Sequence, residues 1–232
     1  MAASLQPVPG HSLLWRGDSL AAPDLAGVPT GFATLDDVLP GGGWPQGALT
    51  EILPVRAGIG EMSLLAPALA RLSRADSRWI VWIAPPHIPY APALQATGMD
   101  LSRLVVVTPR STSEALWTTR QALGSDCCSA VLSWLTVPDH QSLRRLQLAA
   151  EGTHTTAFLF RPACAARDFS PAPLRLSLEP AGGRLAVHVL KRRGALLTRP
   201  LLLDLARPAR NDAVVRPLSA ESAAAGIPAC CA

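Results

Sequence analysis

The residues whose types and spacing come nearest to chemistry lie between Ala48 and Ser63, in ALTEILPVRAGIGEMS. A short apolar segment, a glycine-bearing loop and a helical pattern follow one another there, which is the layout of a phosphate-binding loop. A working loop reads G-x-x-x-x-G-K-[ST]: backbone amides cradle phosphates, the lysine reaches the β/γ-phosphates and the hydroxyl holds magnesium. Here Gly58 and Gly60 supply the glycines, Val55 stands where the first glycine belongs, and Glu61 and Met62 replace the lysine and the hydroxyl. A carboxylate at the lysine position repels triphosphate oxygens by roughly 1–4 kcal/mol at about 4 Å. The chain's one lysine is Lys191, far from the loop, and Arg56 within the loop is no replacement for an ammonium on the first helical turn. The second requirement is a strand-end carboxylate that holds the metal. Ser133 occupies that position, and the next aspartate, Asp139, reads as a helix cap.

No other constellation replaces the lost site. His11, His87, His140, His154 and His188 are scattered, and Ser133 lacks the G-x-S-x-G context of a nucleophile. Cys127, Cys128, Cys164, Cys230 and Cys231 show no C-x-x-C spacing, so they read as buried or incidental thiols rather than as a metal site. No catalytic residue, metal or cofactor is expected. The sequence predicts a non-enzyme with a degenerate phosphate loop.

The elements that must position this loop alternate regularly. Ala48–Leu53, Trp79–Ala84, Leu104–Val107, Ala130–Leu132 and Thr155–Phe160 read as strands. Helical patterns lie between them at Glu61–Arg74, Pro89–Thr97, from Ser111, and from Asp139 to Glu151. Ser111 with Glu114 forms a capping box. Strands alternating with helices imply an α/β fold with a mostly parallel sheet and helices on both faces. After Pro162 the period changes to two. Leu174–Leu178 and Leu185–Leu190, joined at Gly182-Gly183, predict a small C-terminal antiparallel β-hairpin, with an edge strand at Leu201–Leu203. The expected organisation is an N-terminal arm (1–28) carrying LLWRG, an α/β core (29–162), a basic β extension (163–205) and a disordered tail (206–232).

The chain has 232 residues, 49% hydrophobic and 16% charged, enough for one sizeable core. No apolar run reaches the eighteen or so residues that a membrane helix needs, and no secretory pattern is visible. The expectation is a cytoplasmic protein without a membrane partner. Residues 161–216 hold eleven of the 21 basic residues but four of the 17 acidic ones, a local balance of +7. That excess reads as an Arg-rich solvated face or as a surface for nucleic acid or an acidic protein. Candidate contact residues are Arg144 and Arg145 on a helix, and Lys191, Arg192 and Arg193 at the hairpin's end. Trp134 and Leu135, a large apolar pair just past a strand, read either as core or as an interface anchor.

The stretch TGFATLDDVLPGGGWPQGALTEI, from Thr30, resembles the lead-in to the phosphate loop of the RecA-type ATPase core. The departures at Glu61, Met62 and Ser133, together with Leu14–Gly17, Ala130–Leu135, Leu143–Glu151 and Phe158–Pro162, are similar to a degenerate branch of that superfamily, the ImuA and SulA proteins. The segment Pro171–Gly194 extends past where SulA proteins typically stop and is more similar to ImuA. The resemblance implies a non-catalytic accessory factor of SOS-induced, mutagenic translesion DNA synthesis. Its implied partners are an ImuB-type Y-family-like protein, RecA and an error-prone replicative-type DNA polymerase, with single-stranded DNA as a further candidate. The alternative it implies is a SulA-like inhibitor that binds the tubulin-like division protein.

Overall fold

The structure is a computed structural model that describes residues 27–205, apart from 76, 137 and 196. The LLWRG segment and the tail from 206 lie outside the described residues.

Eight strands form one sheet: β1 (Ala48–Pro54), β2 (Trp79–Ile83), β3 (Leu104–Val107), β4 (Cys128–Trp134), β5 (Thr156–Phe160), β6 (Leu174–Ala181), β7 (Arg184–Lys191) and β8 (Leu201–Leu203). Their order across the sheet is β3-β2-β4-β5-β1-β6-β7-β8. The pairs from β3 through β6 are parallel, and β6, β7 and β8 pair antiparallel. This is the α/β architecture expected from the sequence. The hairpin continues the main sheet directly, because β6 lies parallel against β1 with Glu51 opposite Arg175.

The helices are α1 (Ala33–Asp36), α2 (Glu61–Ala75), α3 (Ala91–Ala96), α4 (Thr112–Gly124) and α5 (His140–Ala150). Alternation within the strands sorts the core into two layers. Ile80, Trp82, Ala130 and Leu132 face α2, whose Leu64, Leu65, Leu69 and Leu72 are buried. Val81, Ile83 and Val131 face the other way, onto Ala115 and Leu123 of α4 and Leu143 and Leu146 of α5. Each fully buried leucine contributes roughly 1.5–3 kcal/mol, so the helices are fixed mainly by these stripes. The first layer continues without a break into β6–β8 through Leu176, Leu178, Val187 and Leu203.

Local signals set the helix starts. Ser111 Oγ accepts from the Glu114 amide at 3.1 Å, and Glu114 reaches back to the Arg110 amide at 2.8 Å, one residue before the expected partner. Asp139 Oδ1 accepts from the Ser142 amide at 2.7 Å. The lead-in packs closely on α2. A Cβ on Gly31 (φ +90°) would lie 2.5 Å from Pro67 Cβ, so that crossing requires glycine.

Candidate functional site

The loop between β1 and α2 is bonded from within by one of its flanking side chains. Gly58 donates its N–H to Glu61 Oε1 at 2.7 Å, and Gly60 donates to Glu61 Oε2 at 3.1 Å. Glu61 is the first residue of α2, where the helix dipole favours negative charge. Its carboxylate therefore sits on amides of the kind that a phosphate would use, as the loop's internal anion. The sequence shows a residue that repels triphosphate. The structure adds that the same residue occupies the cradle. Gly60 (φ +118°) is also covered: a Cβ there would fall 2.2 Å from Leu205 Cδ1, on the segment following β8. Met62 is half-buried and packs against the α2-side core.

Ser133 is turned away from metal chemistry. It is 1% exposed, and its hydroxyl shares a 2.8 Å hydrogen bond with Thr119 Oγ1 on α4. Thr119 also donates to the Ala115 carbonyl at 2.7 Å, which makes Ser133 the donor to Thr119. Leu135 is 2% exposed and packs in the layer under α4 and α5, which makes its side chain core. Trp134 is half-buried. It stacks on Phe160 with centroids 4.5 Å apart and planes 4° apart, and tilts against Trp82 at 5.8 Å.

A heavily bonded group in this region is one that sequence reading passed over. Glu51, in the middle of β1, is fully buried. Its Oε1 accepts from Ser170 Oγ at 2.6 Å and Arg161 Nη1 at 3.3 Å, and its Oε2 accepts from Arg175 Nε at 2.6 Å. Arg161 reaches on to Asp168 Oδ2 at 3.0 Å, and Arg175 donates to the Asp168 and Ala165 carbonyls at 3.0 and 2.6 Å. One carboxylate thus joins β1, the end of β5, β6 and the 163–170 connection. A glutamate and an arginine within apolar strands, and a second arginine just after one, in a chain only 16% charged are the signal that would have pointed to it.

The candidate basic residues divide by environment. Arg144 and Arg145 are exposed on α5, away from its buried Leu143–Leu146–Ala150 stripe. Lys191 donates from Nζ to the Ser170 carbonyl at 2.8 Å, at the margin of the Glu51 network. Burial, then the nearby Arg175 charge, holds its ammonium below the usual lysine value. Arg192 donates from Nε to the Ala195 carbonyl at 2.6 Å and from Nη1 to the Val38 carbonyl. Arg193 is exposed. The three consecutive cations therefore do not share one free face.

At the carboxyl ends of β1, β4 and β5, where open α/β sheets bind ligands, a crevice of about 720 Å³ opens beside the loop. Trp134, Phe160 and Arg161 line it from the strand ends, Arg56 and Glu61 from the loop, and Ser111 from the start of α4. No described helix is long and apolar enough to cross a membrane. No group of three or more His, Cys, Asp or Glu among the described residues could hold a metal ion.

The fold and the loop define a class: an α/β protein with a mostly parallel sheet whose glycine loop after β1 is bonded by the protein's own carboxylate. The chain belongs to the SulA family. The family model described as cell division inhibitor SulA matches residues 47–157. The cell division inhibitor SulA of Edwardsiella piscicida is 31% identical over 118 residues, covering 51% of this chain and 70% of that protein. Protein ImuA of Caulobacter vibrioides is 32% identical over 127 residues, covering 52% of this chain and 51% of that protein. The match thus spans about half the length of the ImuA relative. The crystal structure of SulA from Pseudomonas aeruginosa is 27% identical, with a TM-score of 0.43, covering 51% of this chain and 99% of that one. The family match ends inside β5. Glu51 and Glu61 lie within it, and Arg161, Arg175 and Lys191 lie beyond it.

Proposed function

We propose that this protein is a non-catalytic adaptor of SOS-induced mutagenic translesion synthesis. It engages an ImuB-type protein and RecA within an assembly that includes an error-prone replicative-type polymerase. The observation that carries the non-catalytic reading is the Glu61 carboxylate on the Gly58 and Gly60 amides. A triphosphate would have to displace a bonded anion and would then meet neither lysine nor magnesium ligand. The adaptor role in translesion synthesis rests on the resemblance of Pro171–Gly194 to ImuA, a segment that forms β6 and β7 and is packed into the main core. A cytoplasmic location goes with this role.

The second reading, an inhibitor of the tubulin-like division protein, is favoured by the family match over residues 47–157. Co-purification from DNA-damaged cells, with partners identified by mass, separates the two. Recovery of an ImuB-type protein and RecA is expected. Recovery of the division protein without them replaces the first reading with the second. Turnover of ATP stimulated by single-stranded DNA and surviving purification would sink both. Single-stranded DNA is the remaining candidate partner, through Arg144, Arg145 and the Lys191–Arg193 segment. Neutralising Lys191, Arg192 and Arg193 together tests it, since loss of phosphate contacts flattens the salt dependence of binding.

A further inference from the structure

The crevice at the strand ends is not explained by the lost nucleotide site, because Glu61 already fills the cradle on its loop side. Its floor and walls are largely apolar: the Trp134–Phe160 stack, Pro54, Val55 and Pro109. Val55 is 45% exposed, and beyond Pro86 on the rim Ile88 and Tyr90 are 95% and 72% exposed. Two arginines, Arg56 and Arg110, line the crevice from opposite sides. Both are exposed, and neither makes an ion pair within the described residues. Of the other charged lining groups, Glu61 is held by the loop amides and Arg161 by Glu51 and Asp168. Ala84, which also lines the crevice, holds a left-handed backbone (φ 55°) without being glycine, a strain of the kind that collects at binding sites.

We propose that this crevice is a docking groove for an extended acidic–apolar segment of a protein partner, with apolar side chains against Trp134 and the prolines and carboxylates on Arg56 and Arg110. The proposal rests on the adaptor reading and gives that reading a site. An aromatic and proline floor flanked by unpaired arginines is the composition of an interface centre rather than of ordinary surface. Charge decides the occupant. The sequence after Leu205 carries Arg207, Arg210 and Arg216 against Asp212, a like charge that Arg56 and Arg110 would repel. A nucleic acid strand would need free aromatic faces for its bases. Here the two rings of the floor stack on each other.

The test uses the full chain and a fluorescein-labelled peptide alternating glutamate with leucine and tryptophan, read by anisotropy. Saturable binding that weakens with salt is expected. Arg56→Glu/Arg110→Glu should weaken it by about tenfold or more, while Arg71→Glu/Arg120→Glu, on exposed helix positions outside the crevice, leaves it unchanged. Both pairs are exposed, and thermal melting checks that each variant folds. Equal binding of a lysine-for-glutamate peptide, no loss in the Arg56/Arg110 variant, or displacement by oligothymidylate overturns the proposal. So do crosslinks from a photo-reactive residue at Thr136 to residues 206–232 in the free chain, since the tail would then be the occupant. Partner capture from damaged cells separates the levels. If wild type and the Arg56/Arg110 variant capture partners equally, the groove is wrong and the adaptor reading stands. If wild type captures none, the adaptor reading falls.

Discussion

Glu51 and Glu61 lie on either side of the loop in one strand–loop–helix unit and are held by opposite means. Glu51 is fully buried in mid-strand and is bonded by two guanidinium groups and a hydroxyl. Glu61 is only partly buried and is bonded by two backbone amides on a glycine loop. Glu51 takes its partners from β6 and the connections around it, so it depends on the whole sheet being assembled. Glu61 takes its partners from within three residues of itself and needs only the turn. One strand–loop–helix unit thus contains one carboxylate that fastens distant strands and another that bonds the amides of its own loop. The difference teaches where losing a single carboxylate costs most: in the Arg-bonded seam across β5, β1 and β6, not in the loop that the sequence makes conspicuous.

The sharpest way to break this contrast is to remove Glu51. Taking one partner from a buried charge cluster leaves the rest uncompensated and costs roughly 3–5 kcal/mol. Glu51→Gln should therefore lower Tm by about 10 °C or more, whereas Glu51→Leu/Arg161→Met/Arg175→Met should recover most of the loss. A Glu51→Gln variant that melts with wild type would show that the cluster is not a fastening element. Next in size is Leu176→Ala on β6, fully buried one residue from Arg175. A cavity there costs about 2–5 kcal/mol. Because the α2-side core runs unbroken into β6–β8, far- and near-ultraviolet signals should still fall in one coincident transition. Two separated transitions would mean that the seam joins two independent units.

Glu61→Ala should cost only about 1 kcal/mol, since the freed amides can turn to water. Urea midpoints measure it. Glu61→Lys should not restore ATP binding, because Met62 supplies no hydroxyl and Ser133 is bonded to Thr119. Calorimetric titration with ATP and magnesium checks this, and micromolar binding by the variant would mean that Glu61 alone had closed the site.

Much of this was legible in the sequence, for identifiable reasons. Strand and helix periods, the Ser111 and Asp139 caps and the replaced loop residues are local signals, and each corresponds to an element or hydrogen bond described here. The seam was not legible, because Arg161 and Arg175 lie 110 and 124 positions from Glu51 and meet it only once β5 and β6 pair with β1. Side-chain direction was also beyond reach. Spacing places Glu61 at the lysine position but does not show it turning back onto the amides. Equally, spacing sets Trp134 and Leu135 side by side without showing that Leu135 enters the core while Trp134 stacks at the crevice.

A third carboxylate marks the weak end of the series. Asp139 caps α5 from solvent with no buried cation beside it, and the Ser142 amide is the main cause holding its carboxyl below the ordinary 3.8. The sign follows from linkage. With the folded value depressed, the unfolded chain binds more protons between the two values, so stability rises with pH there. The contribution is complete above the unfolded value and is lost as pH falls through the folded one. Asn caps about as well as Asp but does not titrate. Wild type should therefore show a slightly higher urea midpoint than Asp139→Asn near neutral pH, and the gap should close as pH falls through the depressed folded value. All other carboxylates are common to both proteins and cancel in the difference. A gap that stayed constant across that range would mean that the cap acts through geometry alone. Charge would then matter only where, as at Glu51, the strands exclude water from it.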